Sequence, residues 1–141
     1  MANSIPHLLT DADLAAAIDN FAAVLRTRGR LVIQLLNYHK ILAEKERIVS
    51  IDRKGEKAFI RFYDFLADGM LQFNVLRVHW KSENSPVHRL QSTRLRPYTC
   101  DELENALTAR AFGDIRFYSS PQFDAFDVSS SDTLLITARS P

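Results

Sequence analysis

The sequence predicts a mixed α/β fold, with helix–strand units at both ends and an antiparallel β-meander between them. Three observations carry that expectation. An amphipathic helix passes through a single glycine into a short, almost wholly apolar strand. Four runs rich in aromatic and β-branched residues follow, separated by turn residues. A second capped helix and two further apolar strands then restore the α/β rhythm. At 141 residues and 46% hydrophobic, the chain has the length and composition of about one globular domain. Without repeats or linker-like tracts, it reads as one domain over residues 1–141, with residues 46–97 as an antiparallel insertion.

The first helix starts at Thr10, with Asp13 three residues on, a capping-box pattern with a shorter carboxylate than the usual Glu. Asp11 and Asp13 suit the positive end of the helix dipole. Leu14, Ile18, Phe21 and Leu25 form one apolar stripe. Arg26 and Arg28 suit the C-terminal end, and Gly29 is the expected exit residue with positive φ. Arg30–Leu36 then reads as a strand buried on both faces, the pattern of a parallel sheet. Tyr38–Lys45 reads as a short helix.

The meander comprises Glu46–Arg53, Lys57–Leu66, Met70–Lys81 and Val87–Arg96. Its turn signals are Lys54-Gly55, Asp68-Gly69 and Ser82-Glu83-Asn84-Ser85-Pro86. From Asp52 to Arg96 there are nine basic and five acidic residues, most simply read as a solvated face. Thr99 with Glu102 caps the next helix, which continues through Leu103, Ala106, Leu107 and Arg110 towards Phe112-Gly113. Ile115–Tyr118 is a short strand, Ser119–Ser131 a polar loop, and Thr133–Ala138 a final apolar strand.

Charge and composition exclude several classes. With 18 Lys+Arg against 17 Asp+Glu, net charge gives no nucleic-acid or membrane signal. The basic meander lacks a recognisable single-strand-binding motif, so nucleic acid is not the expected partner. One cysteine leaves no internal disulfide and no cysteine-based zinc site. No apolar run approaches the ~20 residues of a membrane helix, and the first residues lack the pattern of a secretory signal. The expected location is cytoplasmic. The four histidines show no metal-ligand spacing, so no metal is expected. Cys100 sits in a first helical turn, where the dipole could lower its pKa, but no base accompanies it. Gly29, Gly55, Gly69 and Gly113 are far apart, so no G-x-G pair, and with it no glycine-rich dinucleotide loop or P-loop, exists here.

Polar residues next to strand ends are the remaining candidates. In open α/β sheets ligands lie beyond the carboxyl ends of strands, and Asn37-Tyr38 directly follows such a strand. Asn3-Ser4-Ile5-Pro6-His7 precedes the first helix, where another strand end is expected. On their own, both segments also fit plain turn formers.

At these residues the chain resembles a known family. Asn3-Ser4-Ile5-Pro6-His7-Leu8 resembles the G-N-S-x-x-H-L segment of S-adenosylmethionine-dependent methyltransferases of the glycine N-methyltransferase-like kind. Gly29-Arg30-Leu31-Val32-Ile33 resembles that family's G-G-x-L-V-I, and Asn37-Tyr38-His39-Lys40-Ile41-Leu42 its N-Y-x-x-I-L. Arg94–Thr99 with Glu102-Leu103 and Ala111-Phe112 resembles the entry to the family's last helix, and Leu134–Ala138 its final strand. The resemblance covers essentially the whole chain. It implies the C-terminal part of a Rossmann-like methyltransferase sheet, with the meander as a substrate-covering insertion. Asn3, Ser4 and His7 match cofactor-binding positions near the methionine end of S-adenosylmethionine, and Asn37 and Tyr38 match substrate-binding positions at the rim. No catalytic residue is expected, because in-line methyl transfer from a sulfonium relies on positioning. Leu36 stands where glycine N-methyltransferases carry an Arg for the substrate carboxylate, which argues against glycine as the acceptor. Ala111 stands where the family has Gly, which implies about 1 kcal/mol of strain if its φ is positive.

The expectation is therefore a methyltransferase portion that lacks the cofactor-binding glycine loop and is inactive alone, with a small-molecule methyl acceptor. The alternative is a non-catalytic oligomerising or small-molecule-binding module derived from the same fold. The resemblance places a further strand beside Leu31–Leu36, where nothing in this chain blunts the edge. The expected partner is a second copy joined at that edge, or a chain supplying the N-terminal half.

Overall fold

Thr10 begins the first helix as its capping box requires. Its hydroxyl accepts the Asp13 N–H at 3.1 Å, and the Asp13 carboxylate receives the Thr10 N–H at 3.3 Å. The computed structural model describes residues 3–80 and 86–141. Its elements are α1 (Asp11–Val24), β1 (Arg30–Leu36), α2 (Tyr38–Glu44), β2 (Ile48–Lys54), β3 (Lys57–Phe65), β4 (Leu71–His79), β5 (Val87–Leu95), α3 (Cys100–Thr108), β6 (Gly113–Tyr118) and β7 (Thr133–Arg139). A 3₁₀ turn, Ile5–His7, precedes α1. The chain falls into two compact units, Met1–Glu44 with Pro97–Pro141, and Lys45–Arg96.

The first unit holds a three-stranded sheet in the order β1-β7-β6, with both pairings antiparallel. Ile33 and Leu35 lie opposite Ile136 and Leu134. With Leu14 and Ile18 of α1 and Leu103 and Leu107 of α3, they form the nearly water-free core. Each such side chain contributes about 1.5–3 kcal/mol relative to exposure. Thr99 caps α3 with a second complete box through Glu102.

Three expectations are corrected here. β1 is not buried on both faces: Val32 is 54% exposed, whereas the central strand β7 is buried on both. The neighbour found beside β1 is antiparallel, not parallel. α1 stops at Val24, before Arg26 and Arg28, and the positive φ falls on Arg28 (57°) rather than Gly29. Gly29 is required for a different reason: a Cβ there would lie 2.7 Å from the Arg26 carbonyl.

Ala111 does adopt positive φ, 59°. Helix α3 ends there in a Schellman arrangement, with the Phe112 N–H returning to the Leu107 carbonyl at 3.2 Å. An L-side chain at this position costs about 1 kcal/mol. Ala111→Gly should therefore raise the urea midpoint, and an unchanged or lower midpoint would show that the turn is not strained.

The second unit is one antiparallel sheet, β2-β3-β4-β5, in sequential order. Gly55 and Gly69 take positive φ (56° and 81°) at its first two turns. The expected third turn, Ser82-Glu83-Asn84-Ser85-Pro86, lies outside the described residues except for Pro86. Exposed ion pairs, Arg61 with Asp52 and Arg94 with Asp68, account for part of the basic surface. His79 and His88 stand on β4 and β5, one register position apart from facing each other.

Candidate functional site

The polar cluster at the carboxyl end of β1 is built from three short segments. Asn3 bridges two of them. Its amide donates to the Tyr38 hydroxyl at 2.6 Å, and its Oδ1 receives the Leu36 N–H at a long 3.5 Å. Asn3 thus links the last residue of β1 to the first residue of α2. Tyr38 is 1% exposed, so its ring fills the core while Asn3 satisfies its polar tip.

Asn37 lies between them in sequence, but its amide turns elsewhere. It is 2% exposed and donates to the carbonyls of Val128 (2.9 Å) and Ser131 (2.8 Å). Its backbone N–H reaches the Asp132 carbonyl at 3.0 Å. Lys40, one turn along α2, ion-pairs with Asp132 at 2.6 Å and donates to the Ser130 carbonyl at 3.3 Å. Residues 127–132 are therefore clamped to the start of α2 from two positions.

That loop has its own local order. The Asp127 carboxylate accepts the N–H groups of Ser129 and Ser130 and the Ser129 hydroxyl at 2.6–2.9 Å. These donors hold its pKa well below the usual carboxylate range, at about 2. The folded pKa lies below the unfolded one, so the contribution is complete above about pH 4 and disappears as pH falls through about 2. Amide shifts of Ser129 and Ser130 should stay constant down to about pH 4 and move together near pH 2. Movement centred near pH 4 would mean that the turn does not form.

The sequence-derived candidates separate into two groups. Asn3 and Tyr38 are brought together, with Asn37 beside them and directed at the loop. Ser4 and His7 lie exposed on the 3₁₀ turn, where the Ser4 carbonyl accepts the His7 N–H at 3.0 Å. The Cys100 thiol is pushed up in pKa by burial and by Asp101, the opposite of an activated nucleophile. Lys40 and the 127–132 loop were not anticipated. The Asp127-Val128-Ser129-Ser130 pattern, an Asp followed by hydroxyl residues, was the available signal for the turn itself.

The sequence matches no protein-family model and no curated protein. Solved structures do match in shape. An S-adenosylmethionine-dependent methyltransferase from Clostridium acetobutylicum ATCC 824 superposes with a TM-score of 0.75 at 11% identity, over 98% of this chain and 55% of that one. The fold is a partial methyltransferase fold. The CcbJ methyltransferase from Streptomyces caelestis gives a TM-score of 0.80 at 15% identity, over 99% of this chain and 58% of that one. An amino pentose methyltransferase from Micromonospora echinaspora, solved with S-adenosylmethionine bound, gives 0.65 at 13% identity, covering 99% and 56%. This chain thus spans a little over half the length of each of these methyltransferases. Among its described residues, no helix is long and apolar enough to cross a membrane.

Proposed function

We propose that this chain is one part of an S-adenosylmethionine-dependent methyltransferase, the part that carries the acceptor-side rim, and that it is inactive until a second segment or chain completes the cofactor pocket. The observation that carries this reading is the Asn3–Tyr38 hydrogen bond beyond the carboxyl end of β1, within a fold shared with methyltransferases. The fit to the cofactor is partial. Asn3, with Ser4 and His7 nearby, offers polar groups suited to its methionine end, as the resemblance to the N-S-x-x-H segment implies. No G-x-G pair is available to approach the adenosine side. When bound, S-adenosylmethionine supplies an already activated methyl group. The protein's own work is then orientation. Asn3 fixes the Tyr38 hydroxyl, and Asn37 and Lys40 hold the 127–132 loop at the edge of the acceptor space. The narrower kinship to glycine N-methyltransferases rests on the Asn3–His7 and Asn37–Leu42 motifs, and Leu36 speaks against glycine itself.

Calorimetric titration of the 141-residue chain with S-adenosylmethionine should give no binding tighter than about millimolar, equivalent to about 4 kcal/mol at most. A micromolar dissociation constant would overturn the reading, because the chain would then contain a complete pocket.

A further inference from the structure

At the opposite end of the same sheet, we infer that Arg30, Arg116 and Arg139, with Tyr118 and Phe123, form a binding site for a small phosphate-bearing aromatic molecule of the nucleoside monophosphate class. A cleft of about 260 Å³ lies among them. The β-register puts the residues there. Arg30 of β1 stands directly opposite Arg139 of β7, and Arg116 of β6 stands opposite Thr137, two positions before Arg139. Side chains two apart on a strand share a face, so all three guanidinium groups belong to one face of the sheet, together with Tyr118 opposite Leu135.

A like-charge pair directly across two strands destabilises a sheet. Arg30 and Arg139 are such a pair. The carboxylate lining the cleft, Asp114, is engaged by Arg116 at 2.9 Å. Arg139 is steadied separately, donating to the Arg28 carbonyl at 3.1 Å. Arg116 is also hydrogen-bonded to the Tyr118 side chain, whereas Arg139 is fixed through one nitrogen, which leaves N–H groups of Arg30 and Arg139 for an incoming anion. Planar guanidinium forks suit phosphate oxygens. The aromatic wall supplies a second kind of contact. Phe123 is 53% exposed and meets Tyr118 edge-on, ring centres 4.9 Å apart. A ring laid on Phe123 would reduce that exposed apolar surface while its phosphate bridged Arg30 and Arg139. Its Arg30–Arg139 end lies one strand length, about 20 Å, along β1 from Leu36, the residue that Asn3 binds. None of its lining residues belongs to the Asn3–Tyr38 cluster, so the inference is independent of the methyltransferase reading.

The test is a titration of the chain, followed by amide shifts, with AMP, adenosine and inorganic phosphate. AMP should saturate at submillimolar concentration and shift residues 114–118 and 137–139, with the residues around Asn3 and Tyr38 unmoved. Adenosine and phosphate, each providing half of the contacts, should bind about tenfold more weakly or worse. Arg30→Gln and Arg116→Gln should each weaken AMP about tenfold. Phe123→Ala should weaken AMP and leave phosphate unchanged. Arg30→Gln should not lower the unfolding midpoint, since it removes the like-charge pair. No saturation by 10 mM AMP (about 3 kcal/mol or less), shifts confined to the Asn3–Tyr38 end, or AMP affinity indifferent to both arginine variants would each overturn the site.

Discussion

Asn37→Ala should be the most damaging single polar substitution in the first unit, lowering stability by about 1–3 kcal/mol. The amide that it removes is 2% exposed and serves two carbonyls, those of Val128 and Ser131, from a position more than 90 residues away in sequence. Ala supplies neither bond; Val128 is itself 39% exposed, so water can reach its carbonyl, and the cost is that of two part-buried hydrogen bonds rather than of two orphaned core acceptors. Urea denaturation should show a lower midpoint with an unchanged slope, and Lys40→Ala should cost much less because its ion pair with Asp132 is exposed on the Asp132 side. Tyr38→Phe keeps the ring and loses one hydrogen bond, an effect of about 1 kcal/mol. A midpoint for Asn37→Ala within error of the parent would remove Asn37 from the role of loop anchor.

Self-association should follow from β1. Among the described residues this strand has one neighbour, β7. The Leu36 N–H goes to Asn3, away from β7, so strand parity directs the backbone groups of Val32 and Gln34 to the same unpaired side. Val32 also presents its side chain to water. We expect light scattering at micromolar concentration to report a dimer or larger assembly through this edge, with an interface of more than about 1,000 Å². Gln34→Pro removes an N–H that β7 does not use and should give monomers without large loss of stability. A second chain that supplied the other part of the methyltransferase fold would compete for the same edge. A monomeric parent chain with well-dispersed spectra, or an assembly indifferent to Gln34→Pro, would refute pairing at β1.

The elements that could be read from sequence are those whose causes are local. Both capping boxes, Thr10 with Asp13 and Thr99 with Glu102, need only residues three apart, and both form as expected. The meander's strands were legible because turn glycines and β-branched runs act over a few residues. What escaped depends on distant partners. Arg28 takes the left-handed conformation because the chain must bring Gly29 onto the Arg26 carbonyl, a close approach invisible to a helix-exit rule. Which strand is buried on both faces was misassigned to β1 because its apolar run resembles that of β7, and only sheet order makes β7 central. Of the candidate site, motif resemblance pointed to Asn3 and Tyr38 singly, whereas their hydrogen bond and the Asn37 clamp on residues 127–132 span separations that no local pattern encodes.

The contacts that fasten β7 set the order in which the chain can mature. Arg139 and Ser140 bind the carbonyls of Arg28 and Arg26 across separations of 111 and 114 residues. During synthesis from the N-terminus, the meander is joined by neighbouring hairpins and can form as soon as it leaves the ribosome. The three-stranded sheet cannot close until Thr133–Arg139 has emerged, so the β7-facing edge of β1 waits through the translation of everything between. That interval, from the emergence of Leu31–Leu36 to that of Thr133–Arg139, is when β1 is most open to mispairing.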